Sequence, residues 1–483
     1  MAYYKDLREF IQVLEEKGKL IRIRSEVNKD TQLHPMVRLQ FRGLPEEDRK
    51  AFLFENVVDS RARRYVNRSV AVSVLGASRE IYGIGMMCPT DEIGNRWTNA
   101  ELHPIEPVMV ADGPVHEEVH MGESLLEHGG LDEFPIPIST PGFDIAPYMS
   151  SPYWVSKDPE NHIRNIGTYR THIKSPSRTS IYWGRPSQGL GIHWNKCKKL
   201  GIPLEAAIII GAAPNIGFVS VAKLPLDVDE YTIAGGIAGE PVNLVKCKTV
   251  DIEVPATAEI VVEGIITTTE LEPEAPFGEA PGYMGDRTMM PYFTVTAITH
   301  RKNPIWQSFI SQFAPSESSK VKQIAWENNI YKYLRYDKNL TNVLACASHE
   351  ESSVGGGLVV IQVKGDDQAK VWEVLEATAK SKVGSRIIVA VDEDIDPRNN
   401  DMLHWVMATR MVPHQDVRIV EGEGSGKDLS LLRPGSREKQ TKPHEFLPKS
   451  SRLLLNATMK WPYLPVSLPK KEYMEEAIQL WQK

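Results

Sequence analysis

Cysteine is scarce in this chain of 483 residues. The four present, Cys88, Cys197, Cys247 and Cys346, stand far apart with no CxxC pair. That spacing argues against a structural zinc site built on paired thiolates and against a disulfide framework, and it fits reduced thiols in a cytoplasmic protein. Long apolar runs are missing as well. The longest lies near Ala206–Ala213 and is far too short to span a bilayer. The opening MAYYKDLREF is charged from the start and has no apolar core of a signal peptide. Nor is there a basic surplus: 56 Lys and Arg against 63 Asp and Glu leave a net charge of −7. This speaks against a general nucleic-acid binder, because phosphate contacts need a positive surface. Two nucleotide signatures are absent too. No GxGxxG opens a helix after a strand, and the run Gly422–Lys427 lacks the Gly and the Ser or Thr that a P-loop requires, having Glu421 and Asp428 there instead.

What is present describes an ordinary globular protein, 41% apolar and 25% charged, long enough for two or three domains. Leu7, Phe10, Ile11 and Leu14 share one face of a helix over residues 6–17, with Asp6 as N-cap and Gly18 as stop. Strands are predicted at Leu20–Arg24, Phe52–Val58 and Ser69–Leu75, and Pro-rich residues Phe134–Pro147 mark a linker or domain edge. From Ile163 to His300 strands dominate: Asn165–Ile173, Thr179–Trp183, Ala206–Ile210, Ile216–Val221, Val250–Val254 and Ala258–Thr267. Helices are predicted at His193–Leu200 and from Asp229 to Gly239. This pattern suggests a barrel or split barrel with inserted helices. Residues 357–420 alternate strand and helix, as in a layered α/β domain. Glu423–His444 reads as a loop and Lys470–Gln482 as a terminal helix.

Three stretches carry residue types suited to chemistry. In EGIITTTELEPEAPFGEAPGYMGD, residues Glu263 to Asp286, Glu274 and Glu279 flank a Pro-Phe-Gly turn that no helix tolerates. Two carboxylates on one rigid turn suit general acid and base work, although a solvated acidic loop would look the same. In Asn165-Ile166-Gly167-Thr168-Tyr169-Arg170, Gly167 allows close backbone approach, and the side chains of Asn165 and Arg170 face opposite sides of a strand. Asp227, Asp229 and Glu230 sit at a helix start, where either capping or a hard metal would use their oxygens. His193, beside Trp194, reads as structural by itself, and the pairs Met86-Met87 and Met289-Met290 as core filler.

Taken together, DLREFIQVLEEKGKLIRI, NIGTYR, DEYTIAGGIAGEPVNLVKCKTVDIEVPATAEIVVEG and EAPFGEAPGY resemble the UbiD family of reversible (de)carboxylases. The resemblance covers most of the chain and fades after Glu421. It implies prenylated FMN, with its phosphate held through manganese or magnesium and a nearby potassium ion. By motif position, Asn165 and Glu230 are the implied metal ligands, and Gly167, Thr168, Tyr169, Arg170 and Ser187 accompany them at the cofactor. The family often has a histidine as third ligand; here Gln188 falls nearest that position and His193 is the other candidate. Arg170, Glu274 and Glu279 match the family's catalytic Arg-Glu-Glu set, with Glu279 as proton donor.

The fold so implied is α/β (α+β). It comprises an N-terminal α/β domain (1–125), a central split-barrel flavin domain (126–330), a C-terminal α/β domain (331–450), and a tail with a helix (451–483) as an oligomer contact. The implied activity is decarboxylation of an aromatic, heteroaromatic or α,β-unsaturated acid, or of an aromatic acyl-CoA, releasing carbon dioxide. The pocket is expected to draw on Met284–Met290 and Trp306–Ser318. A flavin prenyltransferase would supply the cofactor, and the assembly would be a homodimer or homohexamer. An oxidoreductase using ordinary FMN and a non-catalytic flavin-binding subunit are the alternatives.

Overall fold

The computed structural model describes residues 2–184, 187–274, 276–279, 282–285, 287–352, 357–381, 385–423 and 449–481. The helix Leu7–Glu16 starts where expected, with the Asp6 carboxylate accepting from the Glu9 N–H at 2.9 Å, and it buries Leu7, Phe10, Ile11 and Leu14. Nearby is a four-stranded sheet in the order Leu20–Ile23, Ala51–Phe54, Ser69–Val72, Ile305–Ser308. Its last strand comes from far along the chain and runs parallel to Ser69–Val72. The strand expected over Phe52–Val58 is divided into Ala51–Phe54 and Val57–Val58.

The central sheet positions the site. Its strands follow the order Arg164–Thr168, Tyr153–Lys157, Leu204–Ile210, Ile260–Ile266, Tyr292–His300, Arg178–Ser180, Thr171–Ser175, Tyr148–Met149, and Glu118–Met121 also pairs with Tyr292–His300. Arg164–Thr168 is the first strand in this order and Thr171–Ser175 the seventh, yet only Tyr169 and Arg170 join them. In a flat sheet, six spacings of about 4.8 Å would hold them ~29 Å apart. The link from Thr168 to Thr171 spans no more than about 11 Å. The sheet therefore curls into a half-barrel and brings its two ends to a seam at Tyr169–Arg170. The single strand expected over Asn165–Ile173 is thus two strands, broken at that seam.

A second expectation is overturned: Ile216–Val221 is not a strand. Pro214–Val219 forms a short helix, with Pro214 in its first turn and every residue buried. A continuous apolar run has no period to separate strand from helix, and Pro at the first helical position is the signal that decides it.

The C-terminal sheet has five strands in the order Val343–Ser348, Leu358–Val363, Ile387–Asp392, Lys449–Asn456, Val417–Glu423. The helices Gln368–Lys380 and Asn400–Thr409 cover opposite faces, giving one apolar cluster around Val374 and Leu375 and another around Leu403 and Val406. Lys449–Asn456, not foreseen from sequence, lies between two expected strands, parallel to Ile387–Asp392 and antiparallel to Val417–Glu423. The expected loop beyond Glu423 lies outside the described residues. The terminal helix spans Lys471–Trp481.

Candidate active site

Arg170 stands at the seam, where neither neighbouring strand carries it. Its Nε and Nη2 donate to the two oxygens of Glu274 at 3.0 and 2.7 Å, and its Nη1 donates to Glu279 Oε1 at 2.5 Å. The guanidinium carbon lies 3.9 Å from the Tyr182 ring centre. Burial alone would lower the pKa of Arg170, but the carboxylates of Glu279 and Glu274 outweigh it and hold the cation firmly. Glu274 has no exposed side-chain surface, whereas Glu279 keeps 16%. Burial raises the Glu274 carboxyl above its ordinary range, against the pull of Arg170. Tyr148 donates to Glu274 Oε1 at 3.2 Å and packs on Phe277, ring centres 4.4 Å apart.

The Pro/Gly stretch is the tip of a hairpin. Glu272–Glu274 pairs antiparallel with Thr288–Met290, and beyond it Glu279 N–H donates to the Tyr283 carbonyl at 2.7 Å and Gly285 N–H to Phe277 at 2.8 Å. Glu274 ends the paired strand and Glu279 sits on the tip, so both carboxylates converge on Arg170. Ala275, Ala280, Pro281 and Asp286 lie outside the described residues.

A second cluster forms at the first strand, Arg164–Thr168, which ends two residues before Arg170. Asn165 Nδ2 donates to Glu230 Oε1 at 3.0 Å, and Ile166 N–H donates to Glu230 Oε2 at 2.8 Å. Burial pushes the Glu230 carboxyl up to about 8. Asn165 Oδ1 is buried with no hydrogen-bond partner. A buried amide oxygen without a donor beside a carboxylate that burial disfavours as an anion is an oxygen set that a hard cation would satisfy. A Cβ added to Gly189 would lie 1.6 Å from Asn165 Oδ1, so the glycine leaves the oxygen its space. Asp229, by contrast, is taken up by structure: its side chain caps the helix Glu230–Ala238 through Tyr231 N–H at 3.0 Å and ion-pairs with Arg164 at 2.6 Å. Asp227 is exposed.

The other expected residues fall into place unevenly. Thr168 Oγ1 lies 2.9 Å from Ser220 Oγ. The space over Gly167 is filled from within the chain, since an added Cβ would meet the Tyr169 ring at 2.4 Å. The Tyr169 hydroxyl accepts from Leu190 N–H at 3.4 Å. Ser187 and Gln188 are exposed, and Gln188 is the N-cap residue of the helix Gly189–Leu200 with no side-chain cap bond. His193 is buried, its Nδ1 2.9 Å from Ser156 Oγ and its Nε2 3.9 Å from Asp158, and burial lowers its pKa to about 4. It is engaged away from Asn165 Oδ1. Tyr148, Tyr182 and Ser220 were not picked out from sequence; single residues inside strand-like or apolar runs give no local signal of the site they join.

Residues 107–312 match the profile of the 3-octaprenyl-4-hydroxybenzoate carboxy-lyase Rift-related domain, and residues 327–456 match that of the C-terminal domain of the same enzyme class. A Bacillus subtilis protein named phenolic acid decarboxylase is 29% identical over 449 residues, 90% of this chain and 89% of that one. Among solved structures, an evolved dimeric form of the UbiD-class enzyme HmfF from Pelotomaculum thermopropionicum, in complex with prFMN, superposes with a TM-score of 0.81 at 28% identity, covering 96% of this chain and 97% of that one. Vanillic acid decarboxylase from Sedimentibacter hydroxybenzoicus, in its open form, gives a TM-score of 0.81 at 26% identity with both chains fully covered.

Proposed function

The chain belongs to the UbiD family and is a carboxy-lyase, and from that membership we propose that it decarboxylates a phenolic or related aromatic acid at the Arg170 seam with prenylated FMN as cofactor. The single observation that carries this reading is the buried triangle of Arg170, Glu274 and Glu279. Prenylated FMN, when bound, supplies the electron sink for the charge left behind by departing carbon dioxide. The chain's own residues do the rest. Arg170 fixes both carboxylates, and Glu274, fully buried under Tyr148, orients the guanidinium. Glu279, the more exposed of the two acids, delivers a proton to the vacated carbon. Run in reverse at high bicarbonate, the same groups would support carboxylation.

On the strand Arg164–Thr168 and the helix Glu230–Ala238, Asn165 and Glu230 would hold manganese or magnesium at the flavin phosphate, with Gln188 as a third oxygen donor and potassium nearby. Thr168, Tyr169 and Ser187 would line the cofactor site. The orphaned Asn165 oxygen supports this assignment. The names of the relatives support a phenolic acid first; heteroaromatic acids, α,β-unsaturated acids and an aromatic acyl-CoA complete the candidates. We further propose a cytoplasmic homodimer or homohexamer whose cofactor comes from a flavin prenyltransferase.

The test is to express the chain with and without a flavin prenyltransferase, record the spectrum and mass of the extracted cofactor, and screen a panel of acids in deuterated water for deuterium incorporation at the carbon that loses the carboxyl group. The expected result is prenylated FMN, with exchange only in the co-expressed sample. Full turnover with unmodified FMN, or a folded protein that retains no flavin, overturns it.

A further inference from the structure

Far from the Arg170 seam in chain order, three imidazoles and a carboxylate meet where the strand Glu118–Met121 runs beside Tyr292–His300. His120 pairs in register with Ile298, which makes His300 its diagonal neighbour on the same face. The short segment after that strand adds His128 and Glu133. His120 Nδ1 lies 3.0 Å from Glu133 Oε2; the His120 ring stacks on that of His128 at 3.8 Å between centres and meets that of His300 edge-on at 5.0 Å, so the exposed His128 turns out of the stack when it aims its in-plane lone pair at a shared ion. One donor atom from each of His120, His128 and Glu133 falls within 4.8 Å of the others.

His300 supplies an independent indication. It is 3% exposed, and its Nδ1 bonds the Arg301 carbonyl at 2.8 Å. A carbonyl only accepts, so Nδ1 carries a proton and Nε2 is the ring atom left to face the cluster. That Nε2 is buried, has no hydrogen-bond partner, and faces Glu133 Oε1 at 3.6 Å. At that separation the two atoms do not satisfy each other by a hydrogen bond, and a cation placed between them would engage both. Two donors bound at about 2.1 Å to one tetrahedral ion stand ~3.4 Å apart. Arg68 also pairs with Glu133, and its charge moderates the affinity for a second cation.

We propose that His120, His128, Glu133 and His300 form a divalent-metal site of the zinc class, separate from the site at Asn165 and Glu230. Its imidazole-rich donor set selects zinc, nickel, copper or cobalt over magnesium or manganese, the opposite of the all-oxygen site. His128 is exposed, which gives the ion an entry path. Bound metal would pin the segment that follows the strand Glu118–Met121 to the end of the strand Tyr292–His300.

The test uses the full chain carrying Glu230→Gln, stripped with chelator and dialysed against zinc or cobalt(II). The expected result is one ion per chain, visible cobalt ligand-field bands, and a higher thermal midpoint with zinc. Adding His128→Ala, at an exposed position, should abolish the bands and weaken zinc binding by at least about tenfold. If Glu230→Gln does not fold, the same pair is compared in the otherwise unchanged chain with magnesium in excess. Failure to bind zinc stoichiometrically, or unaltered cobalt bands in His128→Ala, overturns the site.

Discussion

Arg170 holds two carboxylates with one planar fork, and this sets what can replace it. A lysine has a point charge and cannot meet both oxygens of Glu274 while reaching Glu279. Arg170→Lys should therefore retain flavin and lose turnover by at least about 100-fold, as measured by carbon dioxide release. Glu279→Gln should abolish decarboxylation and substrate hydrogen exchange with the flavin still bound. A variant that keeps more than about a tenth of wild-type turnover, a barrier change under ~1.4 kcal/mol, would show that Glu279 is not the essential acid. The third ligand of the proposed metal site is a residue-scale question as well. His193 is already engaged with Ser156 and Asp158, so His193→Ala should leave metal content nearly intact, while Gln188→Ala should lower it. Metal analysis of the two flavin-loaded variants decides, and the opposite pattern would give the role to His193.

At the scale of elements, the proposed metal site depends on how two helices meet one strand. The helix Glu230–Ala238 brings Glu230 to Asn165, and the helix Gly189–Leu200 opens directly over the Asn165 oxygen. Gly189→Ala should therefore displace Asn165 and release metal and flavin from a chain whose circular dichroism is unchanged; full metal occupancy would contradict that geometry. The helix Glu317–Lys332 is pinned differently. Glu317 is fully buried and accepts from Ser73 and Leu75 N–H at 2.8 and 2.9 Å, tying the helix start to the N-terminal sheet. Burial pushes its carboxyl up to about 8. A folded-state pKa above the unfolded value of about 4.3 means that the folded chain holds the proton more tightly. That contribution is complete below the unfolded value and is lost as pH rises through about 8. Thermal scans of wild type and Glu317→Gln from about pH 5 to about pH 9 should show the difference in midpoint moving in favour of the variant as pH rises.

For the whole molecule, the described part of the tail is a surface question. Leu464 and Trp481 are each 92% exposed, and Trp461, Leu468 and Leu480 are exposed alongside them. Apolar side chains gathered on one segment mark an interaction surface, in keeping with the proposed role of 451–483 in oligomerisation. A chain ending at Lys460 should fold but shift to a smaller species in light scattering. An unchanged mass would remove the tail from the interface.

Much of this protein is determined locally. The period of Leu7, Phe10, Ile11 and Leu14, the Asp229 cap, and the alternating strands and helices of 357–420 all follow rules that act within one turn or one strand, and the elements form where those rules place them. The carboxylates at Glu274 and Glu279 were legible because Pro and Gly leave no other structure open to that stretch. Tertiary structure decided the rest. The break at Tyr169–Arg170 comes from closing a sheet whose end strands are sequence neighbours, which no residue in the strand announces. The strand Lys449–Asn456 is apolar only at Leu453–Leu455, and its state is set by the two strands it lies between. Arg170 meets Glu274 across 104 residues, and that meeting depends on the curvature of the whole half-barrel rather than on either motif.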